Sequence, residues 1–135
     1  VNGGLSPLTA TVTITPSIGG CAGPIKTFTI TVNPVAQVNQ PSPQTVCSGA
    51  QVAGITFGTT NTGITPTYSW TNDTPSIGLA AASSTGNATG ITSFTALNTG
   101  PSPVTATIRV TPTYSNGGVS CVGSEEVFIS RTFPN

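Results

Sequence analysis

The sequence predicts an all-β fold, an antiparallel β-sandwich of about seven short strands, on three observations. Threonine, a β-branched residue that favours strands, makes up about a fifth of the 135 residues. The 16 glycines and 12 prolines divide the chain into short segments. In several of these segments apolar residues alternate with threonine, which is the period of a half-buried strand. The longest apolar run is far too short to span a membrane.

The clearest alternation lies in residues 104–110 and 28–32, where one face is apolar and the other is mostly threonine. Clusters of Gly, Asn, Ser or Pro separate most of the remaining candidates, and no segment shows a helical period over three turns. In chain order, we expect strands at residues 8–15, 26–32, 51–57, 65–71, 77–82, 91–97, 104–110 and 127–132.

An internal repeat divides the chain. Residues 2–16 align without a gap with residues 98–112, and the match resumes where Cys21 aligns with Cys121. Four extra residues between Tyr114 and Ser120 account for the change of offset from 96 to 100. We therefore expect residues 1–34 to be the C-terminal strands of a preceding β-sandwich repeat and residues 35–135 to be one complete repeat of a tandem array. The short join predicts neighbours held nearly end to end.

The register of the last strand is left open by the sequence. The gapless alignment places Ser130 at the position of Ile30, whereas the apolar residues Val127 and Ile129 favour a slip by one residue. Such a slip would turn every side chain of the strand to the opposite face.

Charge and composition exclude most catalytic classes. Only 4% of residues are charged and the net charge is zero, so the chain has little attraction for nucleic acid or anionic lipid. The absence of histidine removes Ser-His-Asp, Cys-His and His-metal sites. The only carboxylates are Asp73 and the adjacent Glu125 and Glu126, which would point to opposite faces of a strand. We expect no catalysis, no cofactor and no membrane insertion, with Asp73 a weak candidate for calcium.

The three cysteines fit the repeat. Cys47 begins the complete repeat and Cys121 precedes its last strand, so their positions favour a disulfide within one domain. Cys21 corresponds to Cys121, and its partner would lie in an upstream or neighbouring repeat. Free thiols remain the alternative, while the wide spacing without histidine argues against a metal site. A disulfide would place the protein in an oxidising compartment, which is extracellular or at the cell surface.

Several short motifs, in their order and spacing, resemble the PKD-like repeats of very large secreted proteins of Bacteroidota. These motifs are Val46-Cys47-Ser48-Gly49, Tyr68-Ser69-Trp70-Thr71, Gly78-Leu79, Val104-Thr105-Ala106-Thr107 leading to Thr111-Pro112, and Cys121 with Gly123. The resemblance implies an immunoglobulin/PKD-like sandwich in surface stalks, including those of gliding-motility adhesins exported by the type IX system. The chain departs from the wider family at residues 70–75, where the Trp-x-Phe-Gly-Asp-Gly segment is missing. The family motif supplies no catalytic or ligand residues.

The expected function is a non-catalytic structural stalk repeat of an extracellular adhesin or cell-surface filament, whose partners are neighbouring repeats or identical subunits. One alternative is a carbohydrate-binding module for a surface polysaccharide. Tyr68 and Trp70 share a strand face that favours the core, and Tyr114 is expected to be exposed in a loop. Another alternative is a subunit that polymerises by strand complementation, with Cys21 bridged to the next subunit's Cys47.

Overall fold

Two hairpins with the same pattern of strand pairing organise the fold, one in residues 1–34 and one at the end of residues 35–135. The structure is a computed structural model, and the description covers residues 1–83 and 89–135. The N-terminal hairpin unit, residues 1–34, contains β1 (Leu8–Ile14), β2 (Ser17–Ile18), β3 (Cys21–Ala22) and β4 (Lys26–Val32). β1 pairs with β4 and β2 with β3, both antiparallel, so the unit is one long hairpin with a narrow tip.

Residues 35–135 form an all-β sandwich. Its strands are β5 (Gln44–Cys47), β6 (Gln51–Val52), β7 (Ile55–Thr56), β8 (Thr67–Asn72), β9 (Gly90–Ile91), β10 (Phe94–Thr95), β11 (Val104–Asn116), β12 (Val119–Val122) and β13 (Glu126–Phe133). The largest sheet is built around β11, which pairs with β8 on one edge and with β12 and β13 on the other. The short ladders β6·β10 and β7·β9 supply the second layer.

The core lies between these layers and is filled by alternate residues of β8, β11 and β13. Ala106, Ile108 and Val110 are almost fully buried, and Phe128 packs beside them. Tyr68 and Trp70 enter the same cluster from β8, so their predicted place in the core is confirmed.

One edge of the large sheet departs from the antiparallel prediction. β5 runs parallel to β13, with Gln44 opposite Ser130 and Cys47 opposite Phe133. Sequence reasoning missed β5, because its pairing joins residues far apart in the chain and its two apolar residues, Val46 and Cys47, are adjacent rather than alternating.

The predicted strand at residues 77–82 is wrong. Pro75–Ile77 forms a single 3₁₀ turn that ends at Gly78, whose φ of 92° lies in the left-handed region. Within residues 78–83, the part of the predicted strand region that the structure describes, the only pairing is an isolated bridge between Ala82 and Thr71. The predicted strands at 51–57 and 91–97 are each divided into two short strands, whereas β11 extends six residues past the predicted end at Val110.

The register of the last strand follows the gapless alignment, and the one-residue slip is wrong. Phe128, Ser130 and Thr132 face the core and are at most 2% exposed, whereas Val127 and Ile129 are exposed. The hydroxyls of Ser130 and Thr132 find no hydrogen-bond partner among the described residues. Hydrogen bonding with β11 therefore fixes this strand against its own apolar pattern.

The two hairpins repeat the same pairings in three dimensions. Leu8 lies opposite Val32 in the first hairpin, as Val104 lies opposite Thr132 in the second. At the tips, Ile18 pairs with Cys21 as Tyr114 pairs with Cys121. The offsets of 96 and 100 found in the sequence are therefore also the offsets between the two ladders.

Candidate functional site

The first hairpin carries an open apolar face. Leu8, Phe28, Ile30 and Val32 lie on this face and are each between 42% and 56% exposed. The corresponding positions of the second hairpin are Val104, Phe128, Ser130 and Thr132, and the last three are at most 2% exposed because the rest of the sandwich covers them. The same face is thus seen covered in one unit and uncovered in the other.

The hairpin unit meets the sandwich at a polar joint centred on Asn61. The Asn61 amide donates to the carbonyls of Leu5 and Val35 at 3.4 and 3.1 Å, and its oxygen accepts the backbone N–H of Gln37 at 2.6 Å. The neighbouring N–H of Thr62 also donates to Leu5, at 2.9 Å. Asn61 is only 8% exposed, so this one side chain ties the hairpin, the linker and the sandwich together.

A second contact at the joint is a reciprocal pair of asparagines. The Asn33 side-chain amide donates to the Asn116 carbonyl at 3.2 Å, and the Asn116 amide donates back to the Asn33 side-chain oxygen at 3.0 Å. Asn33 follows β4, and Asn116 is the last residue of β11. Pro34, which follows Asn33 in the linker, is fully buried, and its ring fixes its own φ, which stiffens the linker.

The four extra residues of the second repeat make this asparagine pair possible. Both hairpin tips turn on two glycines with positive φ, Gly19 and Gly20 in the first and Gly117 and Gly118 in the second. The second tip has two more residues in each of its strands before the turn. That extension carries Asn116 far enough to reach Asn33, so the predicted loop insertion is an interface element. Sequence reasoning missed the three asparagines, since nothing in their local pattern marks them.

A cavity of about 270 Å³ lies at the tip of the first hairpin, lined by Pro16, Ser17, Ile18, Cys21, Ala22 and Gly23. In the sandwich, Pro112 and Tyr114, the counterparts of Pro16 and Ile18, are fully buried. Ala36, which is 1% exposed, lies directly against Gly123, and Gly63 lies against the Tyr114 hydroxyl. The cavity is therefore the counterpart of a space that the linker fills in the complete unit.

The predicted disulfide between Cys47 and Cys121 is wrong, because the two residues lie at opposite ends of the sandwich. Cys47 pairs with Phe133 at the end away from the joint, and Cys121 pairs with Tyr114 near the joint. Ten residues of β11 separate these levels, which is about 34 Å at the rise of a strand. A disulfide requires Cα atoms within about 7 Å. All three cysteines are free, and Cys21 and Cys47 are exposed.

Tyr114 is buried, so its predicted exposure in a loop is wrong. It belongs to β11, is 0% exposed, and donates its hydroxyl to the Thr62 carbonyl at 3.3 Å. Tyr68 and Trp70 are also buried, at 3% and 8% exposed. None of the three rings presents a face to solvent, which removes the stacking platform that the carbohydrate alternative requires.

Asp73 acts as a structural acceptor at the end of β8. Its carboxylate accepts the Thr107 N–H and the Thr74 hydroxyl, both at 2.8 Å. The hydrogen bond from the Thr107 backbone, followed by that from Thr74, lowers the pKa of Asp73 below its ordinary value of 3.8. These bonds extend the pairing of β8 with β11 by one residue.

The other carboxylates do not join Asp73 in a site. Glu125 forms an exposed ion pair with Arg109 at 2.9 Å, and Glu126 begins β13. Within residues 1–83 and 89–135, no group of three or more His, Cys, Asp or Glu side chains could hold a metal ion. The described residues also contain no helix long and apolar enough to cross a membrane.

Comparisons with known proteins give no relative. No family model, no curated protein and no solved structure matches this chain.

Proposed function

We propose that this chain is a non-catalytic structural repeat of an extracellular adhesin or cell-surface filament, joined end to end with similar repeats. The observation that carries the proposal is the N-terminal hairpin unit. It reproduces the final hairpin of the sandwich pair by pair, yet its apolar face is open and it sits on the end of the next unit.

The open face supports a repeat ahead of the hairpin. Uncovered apolar side chains of this number are unfavourable in water, at roughly 25 cal/mol for each Å² that remains exposed. In the sandwich the equivalent face is covered by Val38, Phe57, Ile77, Leu79 and Ile91, all from residues 35–97. A preceding copy of this segment is the cover that the hairpin pattern requires.

The contacts at the joint support a stiff array of units rather than a flexible one. The linker from Asn33 to Ala36 is short, contains the buried Pro34, and is held by Asn61 and Asn116. Neighbouring units therefore have little freedom to bend independently.

The strand order also suits a load-bearing role. Tension along an array would enter each sandwich at the linker and leave at the end of β13, which lies at the opposite end of the sheet. β5 runs parallel to β13, so this tension acts along the strands and across the hydrogen bonds between them. Separating the two strands then breaks several hydrogen bonds together, which resists extension.

The test uses an extended chain, in which a second copy of residues 35–97 is joined directly to Asn2. Because Asn2 corresponds to Asn98, the added segment and the first hairpin together make one complete repeat. Hydrogen exchange of the β1 and β4 amides is measured in the extended chain and in the 135-residue chain. We expect strong slowing of exchange in the extended chain, because the added segment covers the open face. Exchange at equal rates in the two chains would contradict the proposal.

A matched variant controls for nonspecific coverage. Gly123 lies directly against the Ala36 carbonyl, whereas a Cβ at Gly23 meets only Pro16. In the extended chain the added Ala36 would lie against Gly23. Gly23→Ala should therefore destabilise the first unit of the extended chain, with a smaller effect in the 135-residue chain.

A further inference from the structure

Each sandwich carries one cysteine near each end, and this arrangement has a consequence for the joint. Cys47 lies at the end away from the linker and is exposed, while Cys121 lies near the linker and is half-buried. Within one unit the two are about 34 Å apart by the rise of a strand. In a head-to-tail series, however, the Cys47 end of one unit adjoins the Cys121 end of the next.

The contacts of Asn33 at the observed joint locate both cysteines. Asn33 corresponds to Phe133, and Phe133 is the residue that pairs with Cys47. A preceding unit's Cys47 would thus lie one strand spacing, about 4.8 Å, from Asn33.

Cys121 lies on the sandwich side of the contact between Asn33 and Asn116. Asn33 bonds to Asn116, which pairs with Val119 at the hairpin tip, and Cys121 is two residues further along β12. Two residues of strand are about 7 Å. The two cysteines therefore lie at the same joint. A disulfide between them requires the turn after Cys47 to move until the two Cα atoms are within about 7 Å.

We propose that Cys47 of one repeat and Cys121 of the following repeat form a disulfide across the joint, so that neighbouring units are joined by a second covalent link beside the linker. This proposal rests on the proposed function. The two thiols together lose two protons and two electrons to a small disulfide oxidant, whose own sulfur–sulfur bond is broken to give two thiols. A new sulfur–sulfur bond then spans the joint.

The link would alter how the joint responds to tension. Without it, load passes only through the peptide chain from Asn33 to Ala36. With it, the load is shared with the edge strand β5 of the preceding unit. The hydrogen bonds of Asn61 and Asn116 would then be protected from separation.

The extended chain tests this proposal as well. It has four cysteines: the added Cys47, Cys21, Cys47 and Cys121. After incubation with oxidised glutathione, free thiols are alkylated and the disulfide-linked peptides are identified by mass spectrometry. We expect one disulfide, between the added Cys47 and Cys121, with Cys21 and the last Cys47 alkylated. Cys121→Ser should abolish it, while Cys21→Ser should leave it unchanged.

The outcomes separate the two proposals. Protected β1 and β4 amides together with four alkylated cysteines would overturn the disulfide and leave the array intact. A disulfide from Cys21 or the last Cys47, or one that links two molecules in place of the expected pair, would also overturn it. Unprotected β1 and β4 amides would overturn both proposals. In the 135-residue chain, which lacks the added Cys47, Cys121 should remain open to alkylation under the same conditions.

Discussion

Asn2 and Asn98 make the same three hydrogen bonds at equivalent places in the two units. Asn98 donates to the carbonyls of Ser102 and Thr132 and accepts the Gly100 N–H, at 2.9 to 3.0 Å. Asn2 does the same with the three corresponding residues, Ser6, Val32 and Gly4, at 2.8 to 2.9 Å. Both asparagines are at most 8% exposed. The loop before each hairpin is therefore fixed by one polar side chain, although the first hairpin has no sandwich around it.

Gly123→Ala should destabilise the sandwich by about 2 kcal/mol or more, since the new Cβ would overlap the Ala36 carbonyl. Relief requires a shift of the linker backbone, which Asn61 and Pro34 hold in place. Urea denaturation followed by Trp70 fluorescence measures the change. Gly23→Ala is the matched control, with a smaller expected effect. Equal losses in the two variants would show that the Ala36 contact is not responsible.

Thr132→Val should stabilise the sandwich by about 1 kcal/mol. The Thr132 hydroxyl is buried without a partner among the described residues, and valine has nearly the same shape without the cost of an unpaired polar group. The first unit already has Val32 at this position. Urea denaturation is again the measurement, with exposed Thr105→Val expected to stay within about 0.5 kcal/mol of the parent. A loss of stability in Thr132→Val would mean that the hydroxyl is satisfied.

The sandwich should lose stability in acid through Asp73. Its pKa is lower in the folded chain than its ordinary value of 3.8, so the folded state binds this proton less readily than the unfolded state. The contribution is complete above pH 3.8 and is lost as the pH falls through the folded pKa. Denaturation measured between pH 2 and 6 should show a steeper acid decline in the parent than in Asp73→Asn. Parallel pH profiles would contradict this role.

Asn116→Ala should loosen the joint without unfolding the sandwich. The substitution removes the hydrogen bond that the Asn116 side chain donates to Asn33, and no core residue is changed. NMR relaxation of β1 and β4 amides should report increased motion of the hairpin relative to the sandwich, while the urea midpoint changes little. Ser115→Ala is a suitable control, because Ser115 is exposed and its hydroxyl bonds to that of Ser120 in the same hairpin. Unchanged hairpin motion would mean that the Asn116 side chain does not contribute to holding the joint.

Local patterns predicted the fold where one strand face is apolar and failed where long-range pairing decides. The strands at β1, β4, β8 and β11 are confirmed, since alternation and turn residues agree there. β13 shows the limit: its apolar Val127 and Ile129 face outward, because hydrogen bonding with β11 brings Ser130 and Thr132 to the core. Only comparison of the two repeats predicted that register.

Less of the candidate site could be predicted from the sequence. The four-residue insertion between Tyr114 and Ser120 suggested that Tyr114 lay exposed in a loop, but β11 continues to Asn116 and Tyr114 is buried. Pairing Cys47 with Cys121 followed from their order in the repeat, which does not reveal that the strands carry them to opposite ends. The asparagines of the joint act through contacts between units, and such contacts have no local pattern.

The unequal lengths of the two hairpin tips imply that an array of these units would not bend evenly. A unit whose tip is as short as that of β2 and β3 ends in Gly19 and Gly20 and has no residue placed like Asn116. A junction made with that tip would lack the reciprocal amide contact and swing more freely. Stiff and compliant junctions along one fibre could thus be encoded by the insertion or loss of four residues.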